Sequence, residues 1–205
     1  MLPITPPRKE APTRIAEAAR RGAVHHNALM STTSTDALVT ERLILRRPRD
    51  GDLEAFALLC ADPEVMRYIG TGRPLDRGTA ERSFAIIQAH WTRHGSGLRS
   101  AISREDGEYL GFVGLAVVPG RSIAGGETEI GWRLRRAAWG KGYATEGAIA
   151  VRDQALEGLG ITTLVSLIQP GNAPSARVAE KLGMRRDGHG RGAHGEAVVV
   201  YRVTT

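Results

Sequence analysis

The chain has 205 residues, of which 41% are apolar and 24% charged, a composition sufficient for one folded domain with a buried core. No run approaches the roughly 18–20 apolar residues of a membrane-spanning helix. Cys60 is the only cysteine, which excludes an internal disulfide framework and favours a buried, inert thiol. Prolines and charges interrupt the first residues where a secretory signal needs an apolar run. We therefore expect a cytoplasmic protein with no membrane segment.

The net charge of +6 raises the question of nucleic-acid binding. The basic residues are scattered along the chain, and no recognition motif interleaves them with aromatic residues. We therefore expect no nucleic-acid partner, and attraction of a small polyanionic ligand fits the charge better.

Composition divides the chain near residue 36. The segment before it contains four prolines, an Ala/Arg stretch and a polar run that ends at Asp36. This pattern predicts a flexible N-terminal tail over 1–36 and one folded domain over 37–205.

Apolar periodicity within the domain predicts alternating strands and helices. Strands are predicted at 43–45, 98–103, 109–118, 127–134, 161–168 and 197–203. Helices are predicted to begin at Asp50 and Pro63 and to cover 79–94, 142–159 and 174–182. Strands and helices in this order predict a single α/β or α+β domain with a largely antiparallel sheet. Because strand 109–118 is apolar at both parities, it is expected at the centre, covered on both faces.

A glycine loop, Gly140-Lys141-Gly142, separates a predicted strand from the most regular helix. Backbone N–H groups at a helix start lack intrahelical partners and suit a phosphate, which glycines allow to approach closely. With 25 glycines, however, Gly-x-Gly triplets also arise by chance, and on the residues alone both interpretations stay open. Thr145 stands where a dinucleotide fingerprint needs its third glycine, and no P-loop or nucleophile-elbow pattern occurs.

No metal site is predicted. The chain has no His-Glu-x-x-His pattern. His189 and His194 fall in a glycine-rich segment that reads as a surface turn without other metal-ligating residues.

Four motifs in order carry a family resemblance. They are Thr40–Arg46, Glu129–Leu134, the segment Trp139–Glu146 and, about thirty residues further on, Asn172–Met184. Together the motifs resemble the GNAT acetyltransferase superfamily, and specifically its ribosomal-protein N-acetyltransferase-like branch. The resemblance covers about residues 38–204.

The resemblance implies a mixed, mostly antiparallel sheet whose two middle strands splay apart to admit acetyl-CoA. In the family, the loop after the splayed strand binds the pyrophosphate through backbone N–H groups, the end of that strand pairs with the pantetheine arm, and an asparagine contacts the cofactor from the other side. The corresponding positions here are Trp139, Gly140, Lys141, Gly142, Tyr143 and Ala144 for the loop, Leu134 for the strand and Asn172 for the far side.

The resemblance also implies direct attack of an amine on the thioester, without an acyl-enzyme. Glu129 is the candidate general base, acting through a water, with Glu127 as a rival; a strand glutamate paired with an arginine is the alternative interpretation. Ser175 is the candidate donor to the leaving thiolate, although a serine in the first helical turn can equally be a cap. The tyrosine that often protonates the thiolate aligns with Ala179, which cannot do so.

The predicted reaction is therefore transfer of an acetyl group from acetyl-CoA to a primary amine. The acceptor is either an amine-bearing small molecule or a protein N-terminus, and the family makes a homodimer plausible. Because Ala179 replaces the tyrosine, a non-catalytic module that binds acetyl-CoA is the alternative.

Overall fold

A computed structural model describes residues 37–205, and the predicted tail over 1–36 lies outside the described residues. The described part of the chain forms one eight-stranded sheet in the order β1-β2-β3-β4-β5-β6-β8-β7. The strands are β1 Ala37–Val39, β2 Leu43–Arg46, β3 Leu98–Ser103, β4 Tyr109–Val117, β5 Thr128–Leu134, β6 Thr163–Ile168, β7 Arg185–Arg191 and β8 Ala197–Thr204.

Helices cover both faces of this sheet. They are α1 Leu53–Ala61, α2 Pro63–Met66, α3 Arg77–His94, α4 Tyr143–Asp153 and α5 Ala173–Lys181. The signals at their ends are local: Asp62 caps α2 by accepting from Glu64 N–H at 2.9 Å, and Gly95 ends α3 in the left-handed conformation. The predicted fold class is confirmed.

The strand β1 was not predicted, and three further details differ from the predicted elements. Arg49, not Asp50, is the N-cap of a short 3₁₀ turn that precedes α1. The helix predicted over 142–159 is α-helical only to Asp153 and continues as a π-helical turn to Gly158.

The third difference is β7, which contains His189 and was predicted to be part of a turn. Nearly every residue of β7 is exposed, so the strand lacks apolar alternation. Its backbone pairs with β8 at the edge of the sheet, which sequence periodicity does not reveal.

The strands splay where β5 meets β6. This pair is parallel and joins at one position, Glu129 with Val165, whereas the other neighbouring strands are antiparallel. Beyond that position the two strands separate toward Leu134 and Ile168. The predicted gap between two middle strands is thus present.

Two apolar clusters cover the two faces of the sheet. One packs α4 and α5 against residues such as Val113 and Ile130, both fully buried. The other packs α1 and α3 against Phe112. Since Phe112 and Val113 are adjacent on β4, this strand is covered on both faces, as predicted. Cys60 belongs to the second cluster and is fully buried, and this burial raises the pKa of its thiol.

A buried carboxylate fixes the start of α1 to the sheet. Both Asp52 oxygens accept from the Arg46 guanidinium at 2.7 Å, and one also accepts from Ser100 Oγ at 2.7 Å and from Arg49 N–H at 2.9 Å. Burial alone would raise the pKa of Asp52, but these hydrogen bonds outweigh it and the pKa is lowered. The carboxylate is therefore ionised in the folded protein at neutral pH.

Candidate active site

A cleft of about 590 Å³ opens where β5 and β6 separate. Its lining comes from the end of β5, the glycine loop, the start of α4 and the start of α5. The structure thus assembles most of the predicted positions around one space: Leu134, Trp139, Gly140, Gly142, Tyr143, Ala144, Asn172 and Ser175.

The backbone of β5 presents hydrogen-bonding groups to this cleft. Arg135 N–H donates to Leu110 O on the β4 side at 2.8 Å. Because orientation alternates along an antiparallel strand, the polar backbone groups of Trp132 and Leu134 point instead toward the β6 side, where β6 has moved away. Trp139 Nε1 donates to Leu134 O at 2.7 Å, so this carbonyl already has a partner. The exposed backbone groups of Trp132 and the Leu134 N–H are those available to an extended ligand.

The glycine loop brings a helix N-terminus to the cleft. Gly140 and Gly142 have φ of 73° and 86°, a left-handed conformation that glycine adopts without steric strain. Gly142 is the N-cap of α4, and the first intrahelical bond runs from Glu146 N–H to Gly142 O. The N–H groups of the first turn therefore lack helical acceptors, in a region of partial positive charge.

An arginine that immediately precedes β2 and a glutamate from α4 hold this loop in place. Arg42 donates to Lys141 O at 2.9 Å and to Glu146 Oε2 at 2.7 Å, and its guanidinium lies 4.6 Å from the Tyr143 ring centroid. Glu146 also accepts from Thr40 Oγ1 at 2.6 Å. Burial opposes ionisation of Glu146, but these hydrogen bonds prevail and its pKa is lowered. The side chain of Lys141, in contrast to the sequence expectation, does not line the cleft.

A second cleft of about 540 Å³ lies between α1–α3 and the turn joining β7 to β8. It contains Glu129, which the first cleft does not. The two clefts meet at the splay, where they share lining residues: Tyr68, Ile69, Trp132, Arg133, Asn172 and Ser175. The candidate base and the candidate cofactor loop are therefore in adjoining spaces connected through the gap between β5 and β6.

Glu129 is poised for proton transfer near neutral pH. Burial raises its pKa to about 7, against the opposing hydrogen bond from Leu167 N–H at 3.3 Å and with a smaller contribution from the charge of Glu196. No arginine pairs with Glu129 among the described residues, whereas Glu127 accepts hydrogen bonds from Arg202. Pairing with an arginine was the alternative interpretation of Glu129. The structure shows this pairing at Glu127, the rival candidate base, instead.

Asn172, rather than Ser175, caps α5. Asn172 Oδ1 accepts from Ser175 N–H at 3.3 Å, so the interpretation of Ser175 as the cap is wrong. The Ser175 hydroxyl makes no hydrogen bond within residues 37–205 and lines both clefts. Ala179 lies one turn further along α5 and is fully buried. Of these two positions, Ser175 presents a hydroxyl at the splay, whereas Ala179 has no polar side chain and lines neither cleft.

Sequence reasoning missed one polar side chain at the junction. Arg133 lies on the same face of β5 as Glu129 and lines both clefts. Its Nη1 donates to Cys60 Sγ at 3.2 Å, and its Nε is buried without a partner. The sequence did contain a signal for Arg133, because it is a charged residue in an otherwise apolar strand and its spacing from Glu129 places both on the same face.

Within 37–205 no group of three or more His, Cys, Asp or Glu side chains is arranged to hold a metal ion. In the same part of the chain, no helix combines the length and the apolar character needed to cross a membrane.

Residues 42–185 match the family described as the acetyltransferase (GNAT) domain. The chain belongs to the GNAT acetyltransferase family. A curated relative, the uncharacterized protein YkkB of Bacillus subtilis, is 37% identical over 153 residues, which are 72% of this chain and 84% of YkkB. The FsC-acetyl coenzyme A-N(2)-transacetylase of Aspergillus fumigatus is 32% identical over 164 residues, 76% of this chain and 67% of that protein.

Solved structures agree with this assignment. The acetyltransferase from Agrobacterium tumefaciens has a TM-score of 0.71 and 34% identity, over 85% of this chain and 98% of that one. The RimJ protein of Mycobacterium smegmatis, solved with CoA-disulfide, shares the fold at 19% identity, with a TM-score of 0.66 over 82% of this chain and 87% of that one. The chain is an enzyme of the N-acetyltransferase class, whose family uses acetyl-CoA.

Proposed function

We propose that the protein transfers the acetyl group of acetyl-CoA to a primary amine in a ternary complex. The observation that carries the proposal is the junction of the two clefts at the splay. A thioester entering along β5 from one side would meet an amine held near Glu129 from the other. Holding both reactants in that geometry supplies most of the catalysis in a direct transfer.

The first cleft is the proposed acetyl-CoA site. The unpaired N–H groups after Gly142 would bind the pyrophosphate, with Gly140 allowing close approach and Lys141 adding charge from outside the cleft. The pantetheine arm would pair with the backbone of Trp132 and the Leu134 N–H, as an added strand pairs with a sheet edge. Asn172 would contact it from the α5 side, and Trp139, Tyr143 and Ala144 would form the walls.

The proposed reaction needs two proton movements. The amine must be neutral to attack the thioester carbonyl, so its proton passes through a water to Glu129, whose pKa of about 7 suits this role. Formation of the N–C bond and loss of the C–S bond release CoA as a thiolate. After the attack the nitrogen carries one more proton than the amide product, and Ser175, or a water that it orders, would pass this proton to the thiolate.

Two relatives support the choice of candidate acceptors. The A. fumigatus relative is named for transfer to a nitrogen, which supports an amine acceptor here. RimJ shares the fold of this chain, and the resemblance of the four motifs to the ribosomal-protein N-acetyltransferase-like branch makes a protein N-terminus the second candidate acceptor. Small-molecule amines and protein N-termini are thus both candidate acceptors.

The proposal is tested by calorimetric titration of acetyl-CoA into the wild type and Gly142→Asp. The aspartate would put a carboxylate at the start of α4 and compete with the pyrophosphate, so binding should weaken at least about hundredfold. Gly107→Asp is the matched control, because Gly107 also has a positive φ, 75°, but lies in the β3–β4 turn outside both clefts.

Retention of wild-type affinity in Gly142→Asp would refute the loop assignment. Once binding of acetyl-CoA to the wild type has been measured, candidate amines are screened with the wild type by measuring the release of CoA. If acetyl-CoA binds but no small amine or N-terminal peptide releases CoA, the non-catalytic module is the correct interpretation.

A further inference from the structure

Arg133 lacks a partner that matches its charge. Its guanidinium donates to the thiol of Cys60, a weak acceptor, and lies 5.0 Å from the centroid of the Phe112 ring. No carboxylate within residues 37–205 forms an ion pair with it. Other arginines near the sheet do have such partners: Arg46 binds Asp52 and Arg202 binds Glu127. Since a half-buried guanidinium without a counter-ion is costly, its position indicates that an anion binds there during function.

The surroundings of Arg133 place this anion beside the reacting amine. Glu129, Gly131 and Arg133 alternate onto one face of β5, and all three line the second cleft. Gly131 has nothing within 4 Å of the position that a Cβ would occupy, so the floor between the two charged residues is open. Glu129 and Arg133 are four positions apart on β5, so their Cα atoms lie about 13 Å from each other, enough for a small molecule between two long side chains.

Because Arg133 also lines the first cleft, acetyl-CoA could supply the anion. The phosphates of acetyl-CoA would, however, bind at the α4 N-terminus beyond Leu134, while the uncharged pantetheine arm passes β5. The charge facing Arg133 must then come from the acceptor.

We propose that Arg133 binds a carboxylate of the acceptor, and that the acceptor is a small molecule carrying both a primary amine and a carboxylate, such as an amino acid. The amine lies over Gly131 on the side of Glu129, and the carboxylate accepts hydrogen bonds from the guanidinium. This inference rests on the proposed function, because it names the acceptor of that reaction. It makes Arg133 the specificity-determining residue of the second cleft.

The test compares acceptors that differ only in their acid group. Glycine, β-alanine, γ-aminobutyrate and ε-aminocaproate are each assayed beside their own carboxamide, and kcat/KM is measured by release of CoA. The ratio of acid to amide is compared between the wild type and Arg133→Met, which cancels the different basicity of the two amines. For at least one pair we expect this ratio to fall about tenfold or more in the variant, since a charge-assisted hydrogen bond is lost.

Two further variants distinguish specificity from folding. Arg133→Lys keeps the charge but not the fork geometry, and should retain an intermediate ratio. Arg135→Met is the matched control, because Arg135 lies two residues further on, pairs with Glu108 and lines neither cleft; its ratio should equal that of the wild type. Thermal unfolding of each variant confirms that it is folded under assay conditions.

The outcomes separate the two proposals. If amides are acetylated and the ratio is the same in the wild type and Arg133→Met, the carboxylate site is refuted while acetyl transfer stands. Preference for N-terminal peptide amides over every small acid would also refute it. If acetyl-CoA binds but no amine of either kind releases CoA, the proposed function fails, and this inference fails with it.

Discussion

Replacing Glu129 by Gln should lower activity while stabilising the fold above neutral pH. The carboxylate has a pKa of about 7 instead of 4.5, which corresponds to about 3 kcal/mol at 1.36 kcal/mol per pK unit. Because Glu129 lines an open cleft, water offsets part of this cost, and we expect about 1–3 kcal/mol. Turnover should fall by about 10²–10⁴-fold, the usual contribution of a general base.

The sign of the stability effect depends on pH. Glu129 is protonated in both folded and unfolded chains below pH 4.5, so it has no destabilising effect there. Between pH 4.5 and about 7 the unfolded chain loses its proton first, and stability falls as pH rises. Glutamine is neutral throughout. The advantage of Glu129→Gln in urea denaturation should therefore be below about 1 kcal/mol at pH 5 and reach its full value near pH 8.

The dependence of kcat/KM on pH should report the protonation of the same carboxylate. In the wild type, kcat/KM should rise with pH up to about 7 and then level off. In Glu129→Gln this rise should be absent, and kcat/KM should increase only at the higher pH where the free amine deprotonates. The affinity for acetyl-CoA should not change.

Glu127→Gln is the control for both measurements, because Glu127 lines neither cleft and is held by Arg202. Its turnover and pH dependence should be those of the wild type. If Glu129→Gln keeps the wild-type rate and the wild-type rise of kcat/KM with pH, the general base is another group. An advantage in stability that is equal at pH 5 and pH 8 would contradict the raised pKa.

Three further substitutions test other parts of the structure. Asp52→Asn should lower the free energy of unfolding by about 3–5 kcal/mol in urea at pH 7, because Arg46 loses its buried counter-ion; a loss below 1 kcal/mol would contradict this. Arg42→Met should weaken acetyl-CoA binding about tenfold by calorimetry, since Lys141 O and Glu146 lose the donor that holds the loop; an unchanged Kd would show that the loop is rigid without it. Ser175→Ala should lower kcat about tenfold at unchanged stability; a loss of stability with normal kcat would indicate a structural hydroxyl.

Much of the candidate site was predictable because its signals are local. The glycines before α4 and the cap of α2 act within a few residues, and local hydrogen bonding leaves a recognisable pattern. Glu129 could be singled out as a charge in an otherwise apolar strand. The assignment of Ser175 as the cap failed because two neighbouring polar residues, Asn172 and Ser175, can both cap the same turn, and only the backbone geometry selects one.

Arg133 was not predictable in the same way. Its donor contact is to Cys60, 73 residues away, and its lack of a carboxylate partner is visible only when every neighbour is in place. The same holds for Arg42 and Glu146, which are 104 residues apart and fix the loop together. β7 has no apolar pattern to detect, because its side chains are exposed and its backbone pairs with β8 at the edge of the sheet.

The sequence by itself determined most of the helices and strands, the apolar face of the longest predicted helix and the position of the glycine loop between a strand and that helix. These features depend on backbone conformation and periodicity over a few residues. The tertiary structure alone decided that β5 and β6 pair at one position and then separate, that two clefts join at this gap, and that burial raises the pKa of Glu129. Such properties arise from contacts between distant segments, and their free energies depend on the low-dielectric surroundings that only the assembled fold creates.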